Sequence, residues 1–241
     1  MKLTDYFDHI FILHHLPKVS RKHKMEQQLK HLGIDDTSKV SWEYTRIDPL
    51  FECLYKNYSK KLVGLSIGQF NCAYGHYKIM SDALALGYKR ILILEDDIAF
   101  LNNLDKIEEY AKNIPQDADL VMWDWYKNFA ENEMIETKSD VLYYDRNNLP
   151  LWSTGCYIVN DTYMRHYIKE QSRLFVVADR PLTRKSNKDT LKRYRSNLPV
   201  AIQVQDGISM GSEIGYGDVA YDFYTEIGVN FNDYYILKGE V

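Results

Sequence analysis

Four consecutive aliphatic residues, Ile91-Leu-Ile-Leu94, run without a break into three acids, Glu95-Asp96-Asp97. A short apolar run of this kind reads as a strand buried on both faces, and such strands belong to parallel sheets covered by helices. The surrounding sequence agrees. Ser66 and Gln69 form an S-x-x-Q capping box at the head of a long helix, whose apolar stripe passes through Phe70, Ala73, Tyr77, Met80 and Leu84 and stops at Gly87. Upstream, residues 10–13 are a second buried-strand candidate that breaks at Pro17. Ser20 stands as a cap before a helix carrying Met25, Leu29 and Leu32 and ending at Gly33, and Val40, Trp42 and Tyr44 alternate with polar residues as a half-wet strand. Downstream, a helix over about 103–112, strands near 120–123 and 156–159 and a helix from Asn160 continue the alternation. Alternating strands and helices predict an α/β fold on a mostly parallel sheet.

Length and charge narrow the class. At roughly 150 residues per domain, 241 residues imply one domain spanning 1–241. Apolar residues at 45% and charged residues at 27% fit a folded chain and exclude a disordered one. Lys and Arg number 30 against 34 Asp and Glu, so no nucleic-acid partner is expected and any polyanion contact must be local. One stretch is locally basic: between Arg180 and Arg195, seven basic residues face the single acid Asp189, a local charge of +6. It reads as an exposed or mobile acceptor-side loop at about 180–197, suited to an anionic acceptor or to peripheral contact with an anionic membrane, and equally as an ordinary solvated face. Cys53, Cys72 and Cys156 show no C-x-x-C spacing, and no run approaches a membrane span or a secretory leader, so a reducing, cytoplasmic setting is expected.

The acid triplet is the sharpest chemical feature. Open α/β sheets bind ligands beyond the carboxyl ends of their strands. In extended backbone Glu95 and Asp97 share a side while Asp96 faces the other way or turns into the loop. Converging carboxylates there suit a hard divalent cation, Mn²⁺ or Mg²⁺, that keeps positions open for phosphates. On the long helix Gln69, Cys72 and His76 fall at i, i+3 and i+7 as a polar border stripe. His14 and His15 end the first strand. Asp124, within Trp123-Asp-Trp-Tyr126, and Asp179, after Phe175-Val-Val-Ala178, are read as strand-end carboxylates, either of which can serve as a general base. P-loop, dinucleotide and serine-hydrolase motifs are absent from the sequence.

Several segments together resemble glycosyltransferase family 25, the bacterial lipooligosaccharide galactosyltransferases and their collagen-modifying relatives. His15-Leu-Pro-Lys-Val-Ser-Arg21 is similar to the family's N-L-P-x-x-x-x-R opening, and Gly68-Gln-Phe-Asn-Cys-Ala-Tyr-Gly-His76 to its G-x-x-x-C-x-x-S-H helix. Ile93-Leu-Glu-Asp-Asp-Ile98 matches the acidic motif, Ser153-Thr-Gly-Cys-Tyr-Ile-Val159 the S-T-x-x-Y-x-V strand, Asp179 the P-V-D aspartate and Pro199-Val-Ala-Ile-Gln203 the P-x-x-x-Q segment. His15 stands in place of Asn and Gly75 in place of Ser, and Asp179 is followed by Arg180-Pro181 instead of a second Asp.

The resemblance implies a GT-A-like, Rossmann-type, mostly parallel sheet flanked by helices, a nucleotide-sugar donor such as UDP-galactose, an oligosaccharide acceptor and inversion at the anomeric carbon. It implies a metal on Asp97 assisted by Glu95 or Asp96, and Asp179 or Asp124 as base. The donor then lies against His14, His15, Arg21, Gln69, His76, Asp96, Ser153 and Thr154. Trp123, Trp125, Tyr126 and Trp152 are candidates for sugar stacking, and Tyr44 and Tyr77 for the core. A lipooligosaccharide acceptor would bring the enzyme to the inner face of the inner membrane. Two other readings use the same residues: a catalytically silent nucleotide-sugar or carbohydrate-binding module, and a metal-dependent phosphoester hydrolase.

Overall fold

The structure, a computed structural model, describes residues 3–35, 37–58, 64–125, 153–173, 176–179, 181, 190–204 and 224–235, with the backbone of 135–136 and 143–145. In chain order the elements are β1 (His9–His15), α1 (Val19–His31), β2 (Val40–Thr45), α2 (Pro49–Tyr58), α3 (Ile67–Ala85), β3 (Arg90–Glu95), β4 (Ile98–Phe100) and α4 (Leu104–Lys112). There follow β5 (Leu120–Met122), β6 (Ile135–Glu136), β7 (Tyr143–Asp145), β8 (Cys156–Asn160), α5 (Asp161–Arg173), β9 (Arg193–Ser196) and β10 (Ala201–Gln203). One sheet takes the order β2-β1-β3-β8-β5-β9-β7-β6, and β4 pairs with β10 as a separate antiparallel ribbon. Strands β2, β1, β3, β5, β9 and β6 run one way, and β8 and β7 oppose them. The chain therefore forms the mostly parallel α/β sheet that the alternation predicts.

Both sheet faces are covered, which is why the central strands are continuously apolar. Ile10, Ile12, Leu92, Leu94, Val121 and Ile158 pack on one face with Met25 and Leu29 of α1 and Ile107 and Tyr110 of α4. Phe11, Leu13, Ile91, Ile93, Met122 and Val159 pack on the other with Ile79 and Met80 of α3 and Tyr163 and Tyr167 of α5. The capping box of α3 forms in both directions between Ser66 and Gln69. Gly33 and Gly87, at φ +68° and +80°, turn the chain out of α1 and α3 through the left-handed region that favours glycine.

Two local expectations are corrected. Ser20 lies inside the first turn of α1 and does not cap it: the turn closed by Lys18 N–H donating to His15 O at 2.8 Å feeds the chain into the helix at Val19. The segment before Asp179 is not a strand, since Ala178 and Asp179 form a turn. Side chains of α5 satisfy its backbone instead. Gln171 bonds both N–H and C=O of Val176, and Tyr167 and Tyr163 donate to the carbonyls of Ala178 and Pro181.

Candidate functional site

Parallel strands bring their carboxyl ends to one sheet edge, and an antiparallel strand brings its amino end to that same edge. Here His14 and His15 end β1, Glu95 ends β3, and Asp96 and Asp97 occupy the turn to β4. Asp124 follows β5, and Ser153, Thr154 and Gly155 precede β8. The reversed direction of β8 is what delivers Ser153 and Thr154 to the acids. A parallel β8 would have carried them to the opposite edge.

Asp96 is buried and ties this edge together. His14 Nδ1 lies 2.5 Å from its Oδ2, the His15 N–H donates to the same oxygen at 3.0 Å, and Arg21 Nη1 donates to Oδ1 at 3.3 Å. The same Arg21 nitrogen reaches Asp97 Oδ2 at 3.2 Å. The other oxygen of Asp97, Oδ1, is buried and makes no hydrogen bond among the described residues. Burial, and next the charge of Glu95, push the Asp97 carboxyl well above the usual carboxylate range against the pull of Arg21. Because the strand ends at Glu95, the expected alternation of Glu95 and Asp97 against Asp96 does not extend through the triplet. Asp96 and Asp97 share Arg21, and Glu95 makes its bonds to α3 and the β8 approach.

Glu95 Oε1 lies 3.0 Å from His76 Nε2 and 3.8 Å from Cys72 Sγ, and it accepts the hydroxyl of Thr154. Burial pushes Glu95 up, but the bonds from His76 and Thr154 and the charge of Arg21 outweigh it and hold the group below its ordinary value. His76 Nδ1 lies 2.7 Å from the Tyr157 hydroxyl. Cys72, His76 and Glu95 offer three donor atoms all within 4.8 Å of one another. The Cys72 thiol is pushed well up by burial and then by the charges of Glu95, Asp179 and Asp97.

Asp124 is wholly buried, with Ser153 donating to Oδ2 and Tyr224 to Oδ1. Burial drives it up to about 7 in spite of those bonds. Ser153 adopts φ +137°, a strained conformation for a residue with a side chain, and its hydroxyl oxygen accepts from Gly155 N–H at 2.9 Å. Gly155 is required because a Cβ there would lie 2.3 Å from Asp124 Oδ2.

Other predicted site residues fall elsewhere. The Gln69 side-chain oxygen is occupied by Ser66 N–H in the capping box. Trp123 and Trp125 are core residues and offer no face to a sugar: Trp123 packs edge-on to Phe7, and the Arg195 guanidinium stacks 4.0 Å over Trp125. Tyr126 and Trp152 lie outside the described residues. Tyr77 packs at the core margin, whereas Tyr44 is 42% exposed beside Trp42 because β2 is the sheet edge. The basic stretch is not one surface. Arg193 and Arg195 are buried in β9 and Lys192 pairs with Asp117 at 2.6 Å, while Arg180, Arg184, Lys185 and Lys188 lie outside the described residues. Among the described residues no helix is long and apolar enough to cross a membrane.

Two residues of this cluster carry no role in the sequence reading. Tyr157 was visible as the Y of the S-T-x-x-Y-x-V pattern. Tyr224 had no signal, since nothing in the sequence ties it to Asp124.

The model of glycosyltransferase family 25 (LPS biosynthesis protein) matches residues 7–181. Among curated proteins none matches this sequence. Among solved structures the chain is similar to the mannose-1-phosphate geranyltransferase of Thermus thermophilus, at 10% identity over 82% of this chain and 74% of that one, with a TM-score of 0.41. It is also similar to mouse xyloside xylosyltransferase 1 in its apo form, at 11% identity over 73% of this chain and 80% of that one, with a TM-score of 0.35.

Proposed function

The chain belongs to glycosyltransferase family 25, and from that premise we propose that it moves a hexose, galactose carried by UDP, onto a lipooligosaccharide or lipopolysaccharide saccharide with inversion at the anomeric carbon. The observation that carries the reading is Asp97 Oδ1, a buried carboxylate oxygen that makes no hydrogen bond among the described residues, next to Arg21 at the carboxyl edge of the sheet. Buried polar atoms are normally satisfied, so such an oxygen calls for an electropositive partner. An all-oxygen ligand of this kind fits Mn²⁺ or Mg²⁺, held by Asp97 with Glu95 beside it. When bound, the ion supplies neutralisation of the charge that gathers on a departing nucleotide diphosphate.

The chain's own residues supply the rest. Arg21 presents a fixed positive charge held by Asp96 and Asp97, suited to diphosphate oxygens. His14 and the His15 N–H lock Asp96, so the loop after β1 keeps its place against the acids. Asp179 is better suited than Asp124 to take the proton of the acceptor hydroxyl, because both oxygens of Asp124 already accept hydroxyl hydrogens and the residue has no exposure. A single displacement by that hydroxyl gives inversion.

The test is mass spectrometry of a lipooligosaccharide acceptor incubated with a panel of nucleotide sugars, with Mn²⁺ or with a chelator. A hexose adduct formed together with free UDP, and lost on chelation, is the expected result. Phosphate release without an adduct would identify a hydrolase. Thermal stabilisation by a nucleotide sugar without turnover would identify a binding module, and either outcome removes the transferase reading.

A further inference from the structure

We propose that Cys72, His76 and Glu95 form a site for a thiophilic divalent cation, with Zn²⁺ as the ion of choice, independent of whether the chain transfers a sugar. Cys72 and His76 stand one helical turn apart on α3, and Glu95 meets them from the end of β3. Zn²⁺ binds sulfur at about 2.3 Å and nitrogen or oxygen at about 2.0–2.2 Å, so tetrahedral ligand atoms sit roughly 3.3–3.6 Å apart. The Nε2 to Oε1 separation is 3.0 Å and the Sγ to Oε1 separation 3.8 Å, a few tenths of an ångström from that geometry on either side. Sulfur and imidazole select Zn²⁺ over Mg²⁺ or Mn²⁺, which the bare oxygen of Asp97 suits instead. The two sites are chemically distinct, and Glu95, a ligand in this one, is the neighbour of Asp97 in the other.

The protons and charges balance. Binding releases the thiol proton of Cys72 to solvent, and the thiolate with the Glu95 carboxylate neutralises the dication. His76 coordinates as the neutral imidazole. Its proton sits on Nδ1 when Nε2 holds the ion, and the Tyr157 hydroxyl at 2.7 Å can accept from Nδ1 in that state as readily as it donates to it without metal. Cys72 is half-buried, the Glu95 side chain is 15% exposed and His76 is buried, with Thr154 also donating to Glu95 Oε1, and a water or ligand oxygen would complete the fourth position.

The experiment uses the full chain carrying Cys53→Ser, because Cys53 is an exposed thiol that would bind zinc on its own. Equilibrium dialysis should give one tight Zn²⁺ per chain. Co²⁺ in its place should show thiolate-to-metal charge-transfer absorption and the intense visible bands of a four-coordinate ion. Adding Cys72→Ser should abolish the charge-transfer band, and Tyr157→Phe should weaken zinc binding by about 10- to 100-fold with the ring still packed. Zinc affinity unchanged by Cys72→Ser, or a cobalt spectrum of the Cys53→Ser protein without thiolate absorption, overturns the proposal. The spectrum is read without any change at the site, so a Cys72 variant that fails to fold leaves the test standing.

Discussion

Tyr224 donates its phenol O–H to Oδ1 of Asp124, across one hundred residues of sequence. With Ser153 on Oδ2, every face of this carboxylate is closed by protein. A buried acid so enclosed is an anchor: it fixes the strained Ser153 and the glycine behind it, and through them Thr154, which donates to Glu95.

The anchor makes stability depend on pH. Burial raises Asp124 from 3.8 to about 7, so its contribution is full below about pH 4 and is lost as pH rises through about 7. Between pH 5 and pH 8 the loss is about 3 kcal/mol at 1.36 kcal/mol per pKa unit. Asp124→Asn keeps the shape and removes the titration. Urea unfolding of both proteins at the two pH values should show wild type losing more stability than the variant by that amount. Parallel pH profiles would show that Asp124 is not held in its protonated form.

Asp97 should separate stability from activity. Its charged form is costly in the metal-free fold, since burial and Glu95 both oppose it. Asp97→Asn is therefore expected to raise the melting temperature of the metal-free protein at pH 8. It should also cut metal-dependent transfer by about 100-fold or more, the rate equivalent of losing a few kcal/mol of charge neutralisation. A variant that melts lower and turns over normally would contradict both halves.

The two candidate bases respond differently. Asp179→Asn should lower kcat by about 10²- to 10⁴-fold with the KM for the nucleotide sugar little changed, as expected for a lost proton acceptor. Asp124→Asn should leave the Asp179-dependent limb of the pH–rate profile in place. If Asp124→Asn removes that limb and Asp179→Asn does not, the roles are exchanged.

The central sheet and the acidic edge were legible because burial on both faces writes itself as continuous apolar runs, and strand ends as the charges that follow them. The direction of β8 was not, because a strand of five residues, four of them apolar, carries no mark of which way it points. The same limit hid how Ser153 and Thr154 reach the acids. Asp179 misled for a related reason: Val176, Val177 and Ala178 read as a strand, while the donors and acceptors that settle their backbone belong to Gln171, Tyr167 and Tyr163 of α5. Trp123 and Trp125 misled because their neighbour Asp124 suggested a cleft, and only the packing reveals that the carboxylate is buried with them.

Gly75 offers a test of how closely α3 is fitted to β1. It stands where the family pattern has Ser, and a Cβ there would lie 2.4 Å from Leu13 Cδ1 and 3.0 Å from Thr45 Cγ2. Alanine in place of a mid-helix glycine gains about 1 kcal/mol from helix propensity. Forcing a methyl into a filled interior costs about 1–3 kcal/mol. Leu13 is buried and cannot swing out to solvent, so the overpacking wins and Gly75→Ala should destabilise the protein. Leu13→Val removes both δ carbons that block the site and leaves Thr45 Cγ2, at 3.0 Å, to give by a few tenths of an ångström, so most of the overpacking is relieved. Gly75→Ala should then become neutral or stabilising. A double-mutant cycle by urea unfolding reads this as a coupling of opposite sign to the single Gly75 change. The pair flanks His76 on one side and His14 on the other, so the space between Gly75 and Leu13 also sets how far apart the two histidine-bearing elements stand. The same sign of effect in both backgrounds would mean that the helix shifts to accept the methyl and that this spacing is not fixed by Leu13.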